Sequence, residues 1–120
     1  MLTQTQAQLL DQATIEGLRG LSGDDDPDFL SGIIADFLAD AGTRISEIKR
    51  LLKAKDFPKV TGVAHALKGS SFNVGAHQLG ELAKQMEERC ATGTHENVDL
   101  LIEQMEKIFG KTSQALLRIQ

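Results

Sequence analysis

One histidine in this sequence has neighbours that suit reversible chemistry on its imidazole ring. His65 lies in the segment Ala64-His65-Ala66-Leu67-Lys68-Gly69-Ser70-Ser71, with a lysine three residues later and a glycine four residues later. On a helix, residues three and four apart share a face. The lysine places a cation on one side of the ring, and the glycine leaves the other side without a side chain. This arrangement suits a ring that a large partner must reach. It also suits a ring that must briefly hold an anionic group.

A helical wheel at 100° per residue separates two faces of this segment. The His65 face is predicted to be exposed, and it includes Thr61, Gly62, Lys68, Gly69 and Phe72. The opposite face is predicted to pack in the core, and it includes Val60, Val63, Leu67, Ser70, Ser71 and Val74. Glycine inside a helix costs roughly 1 kcal/mol relative to alanine. We therefore interpret the two glycines as a surface that a partner approaches closely. Phe72 is either an exposed aromatic beside it or a residue half-covered by the following loop.

The elements that carry this face are helices, because apolar residues recur at helical spacing along almost the whole chain. A chain of 120 residues with 41% hydrophobic and 25% charged residues is typical of one soluble domain with one core. We predict an all-α fold: an antiparallel up-down four-helix bundle with additional short N-terminal helices. Residues 1–10 are expected to be a loosely ordered lead-in, and residues 11–120 a single helical domain.

Capping residues predict where the first helices lie. Asp11 is a candidate N-cap for a short helix that ends near Gly20 or Gly23. Asp26-Pro27 is expected to begin the next helix, because proline fits the first turn. A break or bend is expected in that helix near Ala41-Gly42-Thr43, which would divide its apolar stripe in two.

The later helices have similar boundary signals. Asp56-Phe57-Pro58 is expected to begin the helix that carries His65, and Gly75 to end it. The following helix is predicted to end near Gly93, and Thr94 to cap the last one. Short connections between such helices favour antiparallel neighbours.

Composition argues against several other kinds of protein. A net charge of -4 without Trp or Tyr predicts no nucleic-acid binding. The single cysteine, Cys90, permits no internal disulfide and is interpreted as structural. A metal site is not expected, because His77 and His95 lack a His or Cys three or four residues away. No segment is apolar enough to span a bilayer, and the N-terminus lacks a signal-peptide pattern.

The segment His65-Ala66-Leu67-Lys68-Gly69-Ser70-Ser71, preceded by Ala64 and followed by Gly75-Ala76 and Leu79, resembles the signature of histidine-containing phosphotransfer (HPt) domains. The resemblance extends upstream to the Asp26–Leu38 helix and downstream to Leu82 and Glu87, so it covers most of the chain. It implies a phosphocarrier in a His–Asp phosphorelay. Such a protein accepts a phosphoryl group from a receiver-domain aspartate and passes it to, or back to, a response-regulator aspartate.

The resemblance also implies roles for individual residues. His65 would be the phosphoacceptor through Nε2, Lys68 would stabilise the phosphoryl group, and Gly69 would leave room for the receiver. Glu87 matches the position that, in some members, hydrogen-bonds Nδ1 of the histidine, and Lys84 would lie near it one turn earlier. The partner would dock over the positions Thr61, Gly62 and Phe72. Phe72 departs from the small residue often found there in the family, which would tune partner choice.

The implied partners are response-regulator receiver domains and a hybrid sensor histidine kinase, with no nucleic acid and no direct membrane contact. The sequence has no Gly-rich phosphate loop, nucleotide motif or paired magnesium-binding carboxylates. We therefore expect no ATP binding, no autokinase activity and no cofactor, with magnesium on the receiver. The expected location is the cytoplasm, either as a free protein or as the cytoplasmic module of a membrane-anchored kinase. The alternative is a non-catalytic helical adaptor or scaffold in which His65 is incidental.

Overall fold

The computed structural model describes residues 9–22, 26 and 28–120, and every regular element within them is a helix. The five helices are α1 (Gln12–Ser22), α2 (Phe29–Lys53), α3 (Phe57–Val74), α4 (His77–Thr92) and α5 (Val98–Ile119). Helices α2 to α5 form a closed ring in which each packs on the next and α5 returns to α2, while α1 lies against α2 and α3. The predicted all-α four-helix bundle is thus confirmed, with one short N-terminal helix in the described part.

The core runs through the middle of this ring. Its largest fully buried apolar side chains come from every bundle helix and from the segment before α1: Leu10, Ile34, Ile48, Leu67, Leu79, Met86, Met105 and Leu116. Leu9 is also buried, so packing reaches into the end of the predicted lead-in, whose residues 1–8 lie outside the described part. None of the described helices is both long and apolar enough to cross a membrane.

Local capping chemistry places α3, the helix that carries His65, as predicted. The Asp56 carboxylate accepts a hydrogen bond from the Lys59 N–H at 3.4 Å, and Pro58 occupies the first turn. Gly75 ends the helix in the left-handed conformation, with φ of 83°, and its carbonyl accepts the Asp11 N–H at 2.8 Å. A side chain at residue 75 would be strained and would press on the Asp11 carbonyl. The residue before α1 is therefore joined to the corner between α3 and α4.

Of the break or bend predicted near Ala41-Gly42-Thr43, the break is wrong, because α2 is continuous through these residues. Ala41 is fully buried and continues the apolar stripe. The Thr43 hydroxyl donates to the Ala39 carbonyl at 3.1 Å, a bond made within a regular helix. Gly42 lies under the ring of Phe109 from α5, and a β-carbon placed there would be 3.6 Å from that ring. A β-carbon at this position would thus fit at an ordinary contact distance, and the glycine does not interrupt the helix.

Two predicted helix starts are also wrong by a few residues. Helix α2 has its N-cap at Asp28, because the Phe29 N–H bonds the Asp26 carbonyl in a turn that precedes the helix. Pro27 lies outside the described residues. Helix α5 is preceded by Asn97, which is in the left-handed conformation with φ of 63°. Thr94 instead donates its N–H to the Arg89 carbonyl and so closes α4.

Candidate functional site

His65 lies in the middle of α3 on the side that faces away from the core. Its side chain is 68% exposed. The neighbouring Ala64 and Leu67 are fully buried, so the wheel's division of this helix into an outer and an inner face is correct at its centre. Val63 and Ser70, which were predicted to be on the core face, are only half-buried. Helix α3 therefore presents the imidazole to solvent from a backbone held firmly by packing.

Glu87 from α4 holds one nitrogen of this ring. Its Oε2 lies 2.6 Å from Nδ1 of His65, and its Oε1 accepts a hydrogen bond from Nζ of Lys68, also at 2.6 Å. An ionised carboxylate can only accept hydrogen bonds, so Nδ1 must carry the proton. In the neutral ring the lone pair is then on Nε2, which is the nitrogen left for a reaction.

The charge balance at Glu87 keeps this carboxylate ionised. Its side chain is only 18% exposed. Burial by itself raises the pKa of Glu87, but the hydrogen bonds from Lys68 and His65 outweigh burial, so the pKa is below its ordinary value. The carboxylate is therefore negative at neutral pH, ready to accept from both groups.

The two glycines on the outer face of α3 have open space beside them. A β-carbon placed on Gly62 or Gly69 would meet no neighbouring atom within 4 Å. Helix packing therefore does not explain either glycine. Openness alone does not mark a docking surface, since four other helical glycines are equally open: Gly17, Gly20, Gly32 and Gly110. Gly69 differs from these four because it lies one turn beyond His65.

The other predicted docking residues are less exposed than the wheel suggested. Thr61 is half-buried, and its hydroxyl donates to the Phe57 carbonyl at 3.0 Å. Phe72 is also half-buried, because its ring turns towards α4. Lys84 is exposed on α4, and among the described residues it forms no ion pair or hydrogen bond with His65, Lys68 or Glu87.

Two contacts at this site were not foreseen from the sequence. Lys68 was expected only to stabilise a phosphoryl group, whereas it is also paired with Glu87. A signal was available, because a carboxylate predicted to reach His65 would also be near a lysine three residues away on the same face. Gly80, which lies under the Phe72 ring, was not singled out. Its role depends on a contact between two helices, for which the sequence offers no local signal.

The remaining reactive residues are held elsewhere. Cys90 is buried, its thiol lies 3.9 Å from the Met86 sulfur, and burial raises its pKa. His95 stacks on Phe57 with ring centroids 3.5 Å apart. In the described part of the chain no group of three His, Cys, Asp or Glu side chains is placed to hold a metal ion.

Comparison with known proteins points to one family. The family model for the Hpt domain matches residues 32–115, which is more than half of the chain. Histidine-containing phosphotransfer protein 2 of Arabidopsis thaliana is 33% identical over 92 residues, covering 74% of this chain and 59% of that protein. Multistep phosphorelay regulator 1 of Schizosaccharomyces pombe is 29% identical over 80 residues, covering 67% of this chain and 27% of that protein. The chain thus spans less than two thirds of the length of these relatives.

Solved structures share the fold over nearly the whole chain. Histidine-containing phosphotransfer protein B of Pseudomonas aeruginosa superimposes with a TM-score of 0.83 and 27% identity, covering 92% of both chains. The Saccharomyces cerevisiae signalling protein Ypd1, solved together with the receiver domain of its downstream response regulator Ssk1, gives a TM-score of 0.70 at 19% identity. It covers 92% of this chain and 90% of that one. At that level of identity the second likeness concerns the fold alone.

Proposed function

This chain belongs to the Hpt domain family, whose members are phosphotransfer intermediates of His–Asp phosphorelays without kinase activity of their own, and we propose that His65 is the residue that carries the phosphoryl group. One observation carries the proposal. The ring is exposed, and its Nδ1 is held 2.6 Å from the Glu87 carboxylate, so Nε2 is left without a hydrogen-bond partner among the residues that the structure describes.

The reaction is a direct transfer between a carboxylate and an imidazole. The Nε2 lone pair of His65 attacks the phosphorus of an aspartyl phosphate on a receiver domain. A P–N bond forms, the P–O bond to the aspartate breaks, and its electron pair leaves with the carboxylate. The proton on Nδ1 stays in its hydrogen bond to Glu87, whose negative charge offsets the positive charge gained by the ring. The reverse reaction passes the group to a response-regulator aspartate with the same atoms, so the direction depends on the partner.

Lys68 and Glu87 have different electrostatic roles at this site. An ammonium group has three N–H donors, and Glu87 accepts one of those of Lys68. The other two remain for oxygens of the incoming phosphoryl group, which carries about two negative charges on the histidine. Glu87 acts as a positioning residue, because it fixes the ring tautomer and holds the lysine beside it. Gly69 leaves the approach to the ring unobstructed.

The partners are receiver domains of response regulators. The exposed face around His65 suits a partner that supplies the phosphorylated aspartate, and the fold is shared with a yeast protein solved together with a receiver domain. We expect magnesium and the acid–base groups of the reaction to reside on the receiver. This domain would bind no ATP and need no cofactor. The proposal applies equally to a free-standing shuttle and to a module of a hybrid sensor kinase, because both use the same face.

A transfer assay tests the proposal. Purified receivers labelled with radioactive phosphate on their aspartates are mixed with the protein, and the labelled protein is then exposed to acid and to base. We expect rapid transfer that gives acid-labile, base-stable phosphate, as for a phosphohistidine. Mapping the phosphate to His65 by mass spectrometry completes the test. Failure of every receiver from the same organism to transfer phosphate, or mapping to His77 or His95, would overturn it.

A further inference from the structure

The ring of Phe72 lies directly on the backbone of α4 at Gly80. A β-carbon placed on Gly80 would be 2.6, 2.7 and 2.9 Å from three atoms of that ring, closer than real β-carbons come. The ring can therefore lie there only because residue 80 has no side chain. His77, exposed at the start of α4, flanks the same ring with centroids 5.9 Å apart. We call these three residues, Phe72, His77 and Gly80, the aromatic ledge.

The ledge lies within reach of anything that binds over His65. Phe72 follows His65 by seven residues, which is two helical turns, or about 10 Å along the same face. A specific protein–protein interface covers about 800 Å² on each partner, a patch with a radius of roughly 16 Å. A receiver domain centred on the imidazole would therefore cover the ledge as well.

The chemistry of the ledge differs from that of the rest of this face. Around His65 the outward groups are small or charged, namely Gly62, Lys68 and Gly69. These groups suit phosphate chemistry, but they offer little apolar contact to a partner. Phe72 is only half-buried, so part of this residue is accessible to a partner, and the contact of its ring with Gly80 restricts its position. Aromatic side chains, phenylalanine among them, are enriched in protein–protein interfaces relative to the rest of the surface.

We infer that the aromatic ledge determines which receiver domains exchange phosphate with His65. This inference rests on the proposed function. A receiver that exchanges phosphate efficiently would place an apolar side chain against the accessible part of Phe72. One that places a charged group there would bury the charge without a partner and would be rejected. Gly80 acts as the positioning residue, since it sets how far the ring projects from α4.

The opposite side of the bundle supplies matched controls. There the ring of Phe109 lies over Gly42, where a β-carbon would be 3.6 Å from it, an ordinary contact distance. Phe109 is half-buried as well. Phe109→Ala therefore removes the same kind of ring, and Gly42→Ala adds the same β-carbon, on the side of the bundle away from His65.

The experiment compares F72A, G80A, F109A and G42A with the unchanged protein against a panel of purified receivers. Second-order transfer rates are measured for each pair. Phosphoramidate, a small phosphodonor that needs no docking surface, serves as the second readout. We expect F72A to lower the transfer rate about tenfold with the receiver that the unchanged protein prefers, and much less with the other receivers. The ratio of transfer rates between the preferred receiver and the others should therefore become smaller. G80A should displace the ring and also change the order of preference. Labelling by phosphoramidate should be unchanged in all four variants.

Three outcomes would overturn the inference. The first is that F72A and G80A transfer like the control variants with every receiver. The second is an equal loss with all receivers, which would indicate general docking without selection. The third is loss of phosphoramidate labelling, which would mean that His65 itself is disturbed. If F72A fails to fold, F72L and G80A decide the matter. Absence of transfer by the unchanged protein with every receiver would instead contradict the proposed function.

Discussion

Two opposite sides of this bundle have similar residues and different chemistry. On the α3–α4 side, Lys68 and Glu87 form an ion pair at 2.6 Å with side chains 27% and 18% exposed. On the α2–α5 side, Lys49 and Glu106 form one at 3.2 Å with side chains 49% and 42% exposed. Each side also places a phenylalanine ring over a glycine. Only on the first side does the carboxylate also contact a histidine, His65. Residue types therefore do not distinguish the functional side, whereas burial and a shared carboxylate do.

The difference in exposure changes what each ion pair does. An exposed pair contributes about 0–1 kcal/mol, because water competes with it and the long side chains lose freedom. The Lys49–Glu106 pair belongs to that class. Glu87 is far less accessible and both of its oxygens are occupied, so removing either of its partners leaves a poorly solvated charge. The four predictions below test this contrast, from the largest expected effect to the smallest.

Replacing His65 with glutamine should abolish transfer from every receiver, because no other group at the site can accept a phosphoryl group. Glutamine keeps an N–H that can donate to Glu87, so the free energy of unfolding should change by no more than about 1 kcal/mol. Transfer of radioactive phosphate and thermal unfolding measure the two effects. His95→Gln, on a histidine that stacks on Phe57, is the matched control and should transfer normally. Residual phosphate on the His65→Gln protein would identify another acceptor.

Replacing Glu87 with glutamine should slow transfer about 10- to 100-fold. A hydrogen bond to a charged group contributes roughly 1.5–3 kcal/mol, and each 1.36 kcal/mol is a factor of ten in rate. NMR of ¹⁵N-labelled histidine should also show the His65 tautomers mixing, which a merely structural role for Glu87 would not produce. Glu106→Gln on the opposite side should leave the rate and the spectrum unchanged. Equal rates for the two variants would contradict a positioning role for Glu87.

Replacing Lys68 with alanine should slow transfer about three- to tenfold while His65 still accepts phosphate. The lysine stabilises charge on the phosphoryl group but forms no bond to phosphorus. Single-turnover transfer rates at low and high salt measure this effect. Lys49→Ala is the control, and it should transfer at the normal rate. If Lys68→Ala and Lys49→Ala transfer phosphate at the same rate within experimental error, an electrostatic role for Lys68 is contradicted.

The smallest effect concerns stability at acid pH. Because the pKa of Glu87 is below its ordinary value of 4.5, the ionised carboxylate stabilises the folded protein above that value. This contribution should disappear as pH falls through the lowered pKa. Urea unfolding at pH 3 to 7 should show the unchanged protein losing stability relative to Glu87→Gln in the lower part of this range. A constant difference between the unchanged protein and Glu87→Gln across this range would contradict a stabilising role for the Glu87 charge.

The fold was predictable where its signals are local. Asp56 and Gly75 mark the ends of α3 by chemistry that depends on adjacent residues, and both predictions are confirmed. The His65 and Lys68 spacing lies within one helix, so their shared face was also predictable. The continuity of α2 was missed because Gly42 looked like a local break signal, although the buried stripe of the helix continues through Ala41. The place of Gly80 was missed because it depends on a ring contributed by another helix. Local sequence cannot show which glycine lies beneath a distant phenylalanine.

The shared carboxylate has a consequence for transplanting this chemistry. A synthetic peptide with the sequence of α3 would carry His65, Lys68 and Gly69 in their native spacing. It would lack Glu87, so in water its imidazole proton would exchange freely between the two ring nitrogens, and the lysine would have no fixed neighbour. The smallest portable unit is therefore α3 together with α4, joined at Gly75, because α3 supplies the nucleophile and α4 supplies the carboxylate that fixes its proton. Grafting α3 alone onto another scaffold would transfer the spacing of His65, Lys68 and Gly69 without the carboxylate that prepares His65 to accept phosphate.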